Sequence, residues 1–387
     1  RQAGKETEAK CPCCADTGRH FSFSSLKPVF QCWKCGASGD WLNYLQDRKT
    51  LDFREALQLL ADEAGVRLSG GDSFKANYEA RKKKASILET AQEYFVDTLS
   101  LEWGLSVLEY LQKRGYSSKD IGAMGLGAYT SREGLQTHLK EKGFSEKEIK
   151  EAGLLHPAFG TSHQVAYLWK DISGRAIGLV ARSILLPVKL EERGLPKYLY
   201  SKGLKKSSSL LGFEAVRGSK EVILLEGGLD ALLLNSKGLK AVATGGTSLS
   251  AEQIKALEQT GTKEILLAFD NDRPGQEATE KVIQALSVSK LRPYVVSLPE
   301  GFKDADELVR KEGLEPFKEC LLQAERGSRW LTRMLVRQHD SKTARGLDMA
   351  LESALSFIGN LEDGLEKREA LEVLQSETGL SDEDIST

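Results

Sequence analysis

Four cysteines constrain this chain more than any other feature. Cys11 and Cys14 form one Cys-x2-Cys pair, Cys32 and Cys35 form a second, and 17 residues lie between the pairs. Each pair offers two thiolates from a tight turn, and two such turns facing each other satisfy tetrahedral coordination. The spacing predicts a small ribbon in which Cys11, Cys14, Cys32 and Cys35 hold a structural Zn2+. Cys13 is an alternative to Cys11 or Cys14, although the two-residue spacing favours Cys11 with Cys14, and His20 is a weaker competitor. Five of the six cysteines lie between Cys11 and Cys35, and Cys320 stands alone. Clustered pairs behind a polar stretch, Arg1 to Lys10, point to metal in a reducing cytoplasm rather than to disulfides. Phe21, Phe23, Phe30 and Trp33 have two roles open to them, packing the ribbon or stacking on unpaired bases, and packing is the expectation for most.

The 387 residues exceed one ordinary core, so the expected class is a multidomain α/β protein. Residues 1–50 read as the zinc ribbon, and 51–73 as a linker with a short helix near Phe53 to Glu63. Residues 74–218 mix α and β: Ile87, Leu88, Ala91, Tyr94, Phe95 and Leu99 recur at helical spacing, whereas Ala176 to Ile184 reads as a strand. Within 219–312, strands at Val222–Leu225, Lys240–Ala243, Glu264–Phe269 and Arg292–Ser297 alternate with helices at Asp230–Ser236, Ala251–Gln259 and Gly275–Leu286. That alternation predicts a doubly wound, mostly parallel sheet. Residues 313–387 read as helices. No apolar run approaches the ~18 residues of a membrane span, so no membrane partner is expected.

The net charge of −2 conceals segregation: residues 181–220 carry nine Lys or Arg against three Glu, and residues 348–387 carry eleven acids against two bases. Either run alone can be a solvated face; a basic belt just before a carboxylate-rich α/β segment favours a phosphate-bearing ligand. Glu226 ends the first strand of that segment, followed by Gly227, Gly228 and Asp230, and Asp270 and Asp272 end the third. Ligands of doubly wound sheets bind at the carboxyl ends of strands, so Glu226, Asp270 and Asp272 should converge there, with Asp304 and Asp306 in reach. Acids gathered without a matching base repel unless cations neutralise them, and oxygen-only donors select Mg2+ or Mn2+. The adjacent glycines allow a phosphate close to the backbone. The plainer reading, loop starts and helix caps, applies most readily to Asp230, Asp304 and Asp306.

Glu226-Gly227 and Asp270-x-Asp272 at this separation resemble the Toprim module. With the cysteine pairs upstream, the order resembles that of DnaG-type DNA primases: zinc ribbon, mixed catalytic-core N-subdomain, Toprim, helical subdomain. Tyr110-Leu-Gln-Lys-Arg114-Gly115, Ser173-Gly174-Arg175, Pro196-Lys197-Tyr198-Leu199, Ala243-Thr-Gly-Gly-Thr247 and Asp304-Ala-Asp306 extend the likeness along nearly the whole chain. The resemblance implies synthesis of short RNA primers on single-stranded DNA from ribonucleoside triphosphates, with a replicative helicase as partner. It implies that Glu226, Asp270 and Asp272 are catalytic and hold Mg2+ with Asp304 and Asp306. It implies that Arg114, Arg182, Lys197 and Tyr198 contact template or nucleotide, with Lys205 and Lys206 beside them. Cys14 stands where many members carry His, Tyr200 where Asn is usual, and His163 in place of arginines; no large helicase-binding domain is evident. The alternatives are the primase part of a phage or mobile-element primase–helicase, a Toprim nuclease or topoisomerase, and a DNA-binding protein without primer synthesis.

Overall fold

The computed structural model describes residues 2–3, 6–11, 18–24, 27–34, 36–48, 53–66, 68, 71–246, 248–361 and 364–381. Cys13, Cys14, Cys35 and Thr247 lie outside the described residues, so half of the expected zinc ligand set does too.

Near the N-terminus five short antiparallel strands lie side by side in chain order, from Gln2–Ala3 to Ser38–Asp40, and lead into the helix Trp41–Arg48. Such a sheet is too small for a sizeable core. Its centre is Cys11, Phe21, Phe30 and Cys32, with Tyr44 of the helix packed against them. The Phe21 and Phe30 rings stack at 5.4 Å, whereas Trp33 is 71% exposed. Packing therefore claims Phe21 and Phe30 and leaves Trp33 to solvent.

The linker helix, Phe53–Glu63, carries Glu55 on its buried side, 3% exposed. Its carboxylate accepts two hydrogen bonds from Arg175, at 2.7 and 3.1 Å, in the turn of a long hairpin. That hairpin, His163–Lys170 with Ala176–Ser183, is the centre of a four-stranded antiparallel sheet edged by Gly127–Ala128 and Tyr198–Tyr200. The helix Gly71–Thr98 covers one face of it, burying Leu88, Ala91 and Phe95 against Tyr129, Ala166 and Leu179.

The other face shares a core with the parallel sheet that follows: Val165, Tyr167, Trp169 and Val180 join Ile223, Leu225, Leu229 and Ala243 in one cluster. The parallel strands run in the order Ala241–Ala243, Glu221–Leu225, Glu264–Leu267, Arg292–Val295. Glu221–Leu225 comes first in the chain and lies inside the sheet, with later strands on both sides. This is a topological switch point, with a crevice outside the strands' carboxyl ends. Helices Ala251–Gln259 and Arg273–Leu286 fall where periodicity predicts them, the second starting two residues earlier because Asp272 caps it.

One expectation fails beyond Asp304. Glu325–Arg326 is a short strand rather than helix, pairing antiparallel with Tyr294 and Val295 at the open sheet edge. Two charged residues there close an edge that would otherwise be free to pair with another chain. The acidic C-terminal run is not merely solvated. Glu366 and Glu369 face Arg326, Glu372 faces Arg329, and Glu377 lies within 3.5 Å of both Arg333 and Arg337. Among the described residues no helix is long and apolar enough to cross a membrane.

Candidate active site

The crevice at the switch point opens into a cavity of about 250 Å3 lined by both acids and bases. The acids are Glu226, Asp230, Asp270 and Asp304; the basic set is Arg114, Arg182 and Lys197, with Tyr198 beside them. The strand ends explain the acids. Glu226 and Asp270 follow the neighbouring strands Glu221–Leu225 and Glu264–Leu267, and the Asn271 amide donates to the Lys303 carbonyl at 2.7 Å. That bond ties the loop before Asp304 to the loop of Asp270.

The acids press on one another. Burial, then Asp270 and Asp272, push the Glu226 carboxyl up to about 7. Burial also raises Asp270, and burial with Asp306 and Asp304 nearby raises Asp230 well above the usual carboxylate range. Glu226 Oε1 is buried without a hydrogen-bond partner. An orphaned buried oxygen among mutually repelling acids suits a divalent cation, and the donor set is all oxygen. Among the described residues no three such side chains close around one point. A cation already stands among them: the Lys303 ammonium sits 3.3 Å from Asp270 and 3.5 Å from Asp272. The sequence expectation of acids without a matching base omitted this lysine, although it directly precedes Asp304.

The remaining acids differ in what they touch. Asp272 does not line the cavity; its Oδ1 accepts from the Gly275 amide at 3.0 Å, capping a helix, and its Oδ2 faces Lys303. Asp304 caps the helix Ala305–Glu312 through the Glu307 amide while also lining the cavity. Asp306 is fully buried and turned to protein donors: Tyr116 Oη at 2.8 Å, Arg310 at 2.9 Å and Arg114 at 3.3 Å. Three of its roughly four acceptor sites are taken by protein donors, which makes Asp306 a clamp on Arg114 in this arrangement.

The basic set is similarly braced. Arg182 is 5% exposed and donates to Tyr110 Oη at 2.9 Å and to Tyr198 Oη, with its guanidinium over both rings. Burial, with Arg182 and Arg114 nearby, lowers the Lys197 ammonium. Such a crowd of cations favours an anion among them. Lys206 sits 4.3 Å over the Tyr200 ring and donates to the Gly245 carbonyl at 3.0 Å, but Lys205 turns away into a different cavity. His163 is no surface contact: it is buried between Ser162 Oγ and the Pro196 carbonyl, and burial lowers its pKa.

The glycines serve the fold more than a ligand. A Cβ on Gly227 would meet Asp230 at 2.3 Å, and one on Gly228 would meet Leu211 at 2.5 Å. Gly246 alone of the four cavity glycines has open space beside it. Tyr167, Trp169 and Tyr200, absent from the expected site, form an aromatic wall. Their alternation along two strands was the available signal.

Three family models match: CHC2 zinc finger over residues 1–76, DNA primase catalytic core N-terminal domain over 94–217, and Toprim-like over 223–309. A DNA primase of Deinococcus radiodurans is 32% identical over 79% of this chain and 54% of its own length. One of Thermotoga maritima is 32% identical over 92% of the chain and 63% of its own. The chain thus spans between about half and two thirds of these relatives. The crystal structure of the Aquifex aeolicus primase zinc-binding and RNA polymerase domains superposes with a TM-score of 0.60 at 26% identity, covering 100% of this chain and 93% of that one. The DnaG primase catalytic domain bound to ssDNA gives 0.63 at 25% identity, over 79% of this chain and 99% of that one. With the carboxylate crevice, the cysteine-bearing ribbon and relatives at this identity over most of its length, the chain belongs to the DnaG-type DNA primases.

Proposed function

We propose that the crevice performs templated nucleotidyl transfer, joining ribonucleoside triphosphates into short primers on single-stranded DNA. The observation that carries this reading is one cavity lined both by strand-end acids and by the cations Arg114, Arg182 and Lys197. A growing 3′-hydroxyl and a triphosphate need those two environments side by side. Glu226, Asp230, Asp270, Asp272 and Asp304 would hold Mg2+ or Mn2+, with Asp306 next to them. When bound, such cations neutralise the acids, favour the attacking 3′-oxygen and polarise the α-phosphate.

The chain's own side chains do the rest. Arg182, braced by Tyr110 and Tyr198, offers a fixed guanidinium to the triphosphate or template phosphates. Arg114, clamped by Asp306, and Lys197 complete the anion-binding set. Lys303 neutralises Asp270 and Asp272 before metal enters and must swing aside, which its 60% exposure permits. Cys11, Cys14, Cys32 and Cys35 would hold the ribbon's Zn2+, and Trp33 on its exposed face is available to a template base.

A labelled-nucleotide assay on single-stranded DNA with Mg2+ tests the reading. Short RNA products from the wild type and none from Asp270→Ala support it. DNA binding or cleavage without primer synthesis would replace it with the nuclease or binding alternative.

A further inference from the structure

A second cavity, of about 260 Å3, lies across the Gly203–Lys206 loop from the catalytic crevice. Tyr200 and Lys206 belong to the crevice side of this loop, whereas Gly203, Leu204 and Lys205 line the second cavity. Its lining carries four cations, Arg81, Lys84, Arg175 and Lys205, against one carboxylate, Asp171. Arg175 is already neutralised by Asp171 and by Glu55 of the linker helix. Lys84 is different. It is half-buried, burial lowers its pKa, and it has no ion pair among the described residues. Its ammonium lies over Gly203, 3.9 Å from where a Cβ would sit. A half-buried cation with no counter-charge favours an anionic guest.

The position says what kind of anion. On one side the loop borders the crevice; on the other, Arg175 joins the cavity to the linker helix that leads back to the zinc ribbon. A strand held in the crevice and continuing toward the linker helix would meet this cavity. We propose that the cavity is a phosphate seat that holds the backbone of a single nucleic-acid strand between the catalytic crevice and the linker helix. The choice of a strand rests on the proposed function; the phosphate chemistry does not.

The test is binding of labelled oligothymidylate across a salt series, without added Mg2+ or nucleotide, alongside equilibrium dialysis of ATP. Removing one phosphate contact with Lys84→Gln should weaken the oligonucleotide several-fold and lower the salt slope by about 0.7. Lys84→Glu should weaken it further, Lys84→Arg should restore both quantities, and thermal midpoints should stay level. Unchanged ATP affinity in the same variants identifies the strand as the phosphate source. Loss in the ATP arm alone keeps the seat and assigns it to free nucleotide. Oligonucleotide affinity, salt slope and ATP affinity all unmoved in Lys84→Glu overturn the proposal. Because no synthesis is involved, failure of the primer assay and failure here are separate results.

Discussion

Replacing Glu226 by Gln should stabilise the metal-free protein, and the size of the gain follows from the crevice. Burial and the neighbouring Asp270 and Asp272 raise the Glu226 carboxyl from 4.5 to about 7. That displacement corresponds to about 3 kcal/mol at full ionisation. The side chain is only half withdrawn from water, and screening reduces the figure to about 1–2 kcal/mol. The folded state binds this proton more tightly than the unfolded state does. Stability from this group is therefore fully present below about 4.5 and is lost as pH rises through about 7. Gln has no proton to lose and retains an oxygen for the Asp270 amide. The variant should match wild type near pH 4 and melt about 1–3 °C higher near pH 8. Added Mg2+ should raise the wild type and narrow the gap, since the variant has lost a ligand. Thermal melts followed by circular dichroism across this pH range provide the assay. A gap that does not depend on pH, or a variant that melts below wild type near pH 8, refutes the repulsion argument.

Tyr116→Phe removes one of three donors from the fully buried Asp306 and should cost about 1–3 kcal/mol in denaturant titrations. Arg175→Ala leaves the Glu55 carboxylate buried without this partner, so amide exchange in the helix Phe53–Glu63 should quicken while the parallel sheet keeps its protection. Metal analysis of the purified protein should find about one zinc per chain, and Cys32→Ser should lower that content and loosen the ribbon sheet around Phe21 and Phe30.

Much of the α/β half was legible because its signals are local. Short apolar strands, capped helices and carboxylates at strand ends each occupy a few adjacent residues, as in Val222 to Asp230. What sequence could not supply was which side chains face each other across long separations. Asp306 meets Tyr116 and Arg114 from about 190 residues away, and this contact decides that its carboxylate is occupied. Lys303 was visible beside Asp304, but its reach to Asp270 and Asp272 depends on the bond between two loops. Lys205 and Lys206 looked equivalent as neighbours, yet a turn of the backbone sends them to different cavities. The Glu325–Arg326 strand is two residues long, with no period to detect, and exists only because the sheet edge is there.

The central claim is that acids from neighbouring strand ends form one divalent-metal site in a cavity that also carries an anion-binding set. Crystals of the protein soaked with Mn2+ test it most directly, through anomalous density. The prediction is density in the crevice, bonded to Glu226 and Asp270, with the Lys303 ammonium displaced from the two aspartates it now bridges. Manganese bound elsewhere on the chain, or a crevice that stays closed on Lys303 at saturating Mn2+, would contradict the account.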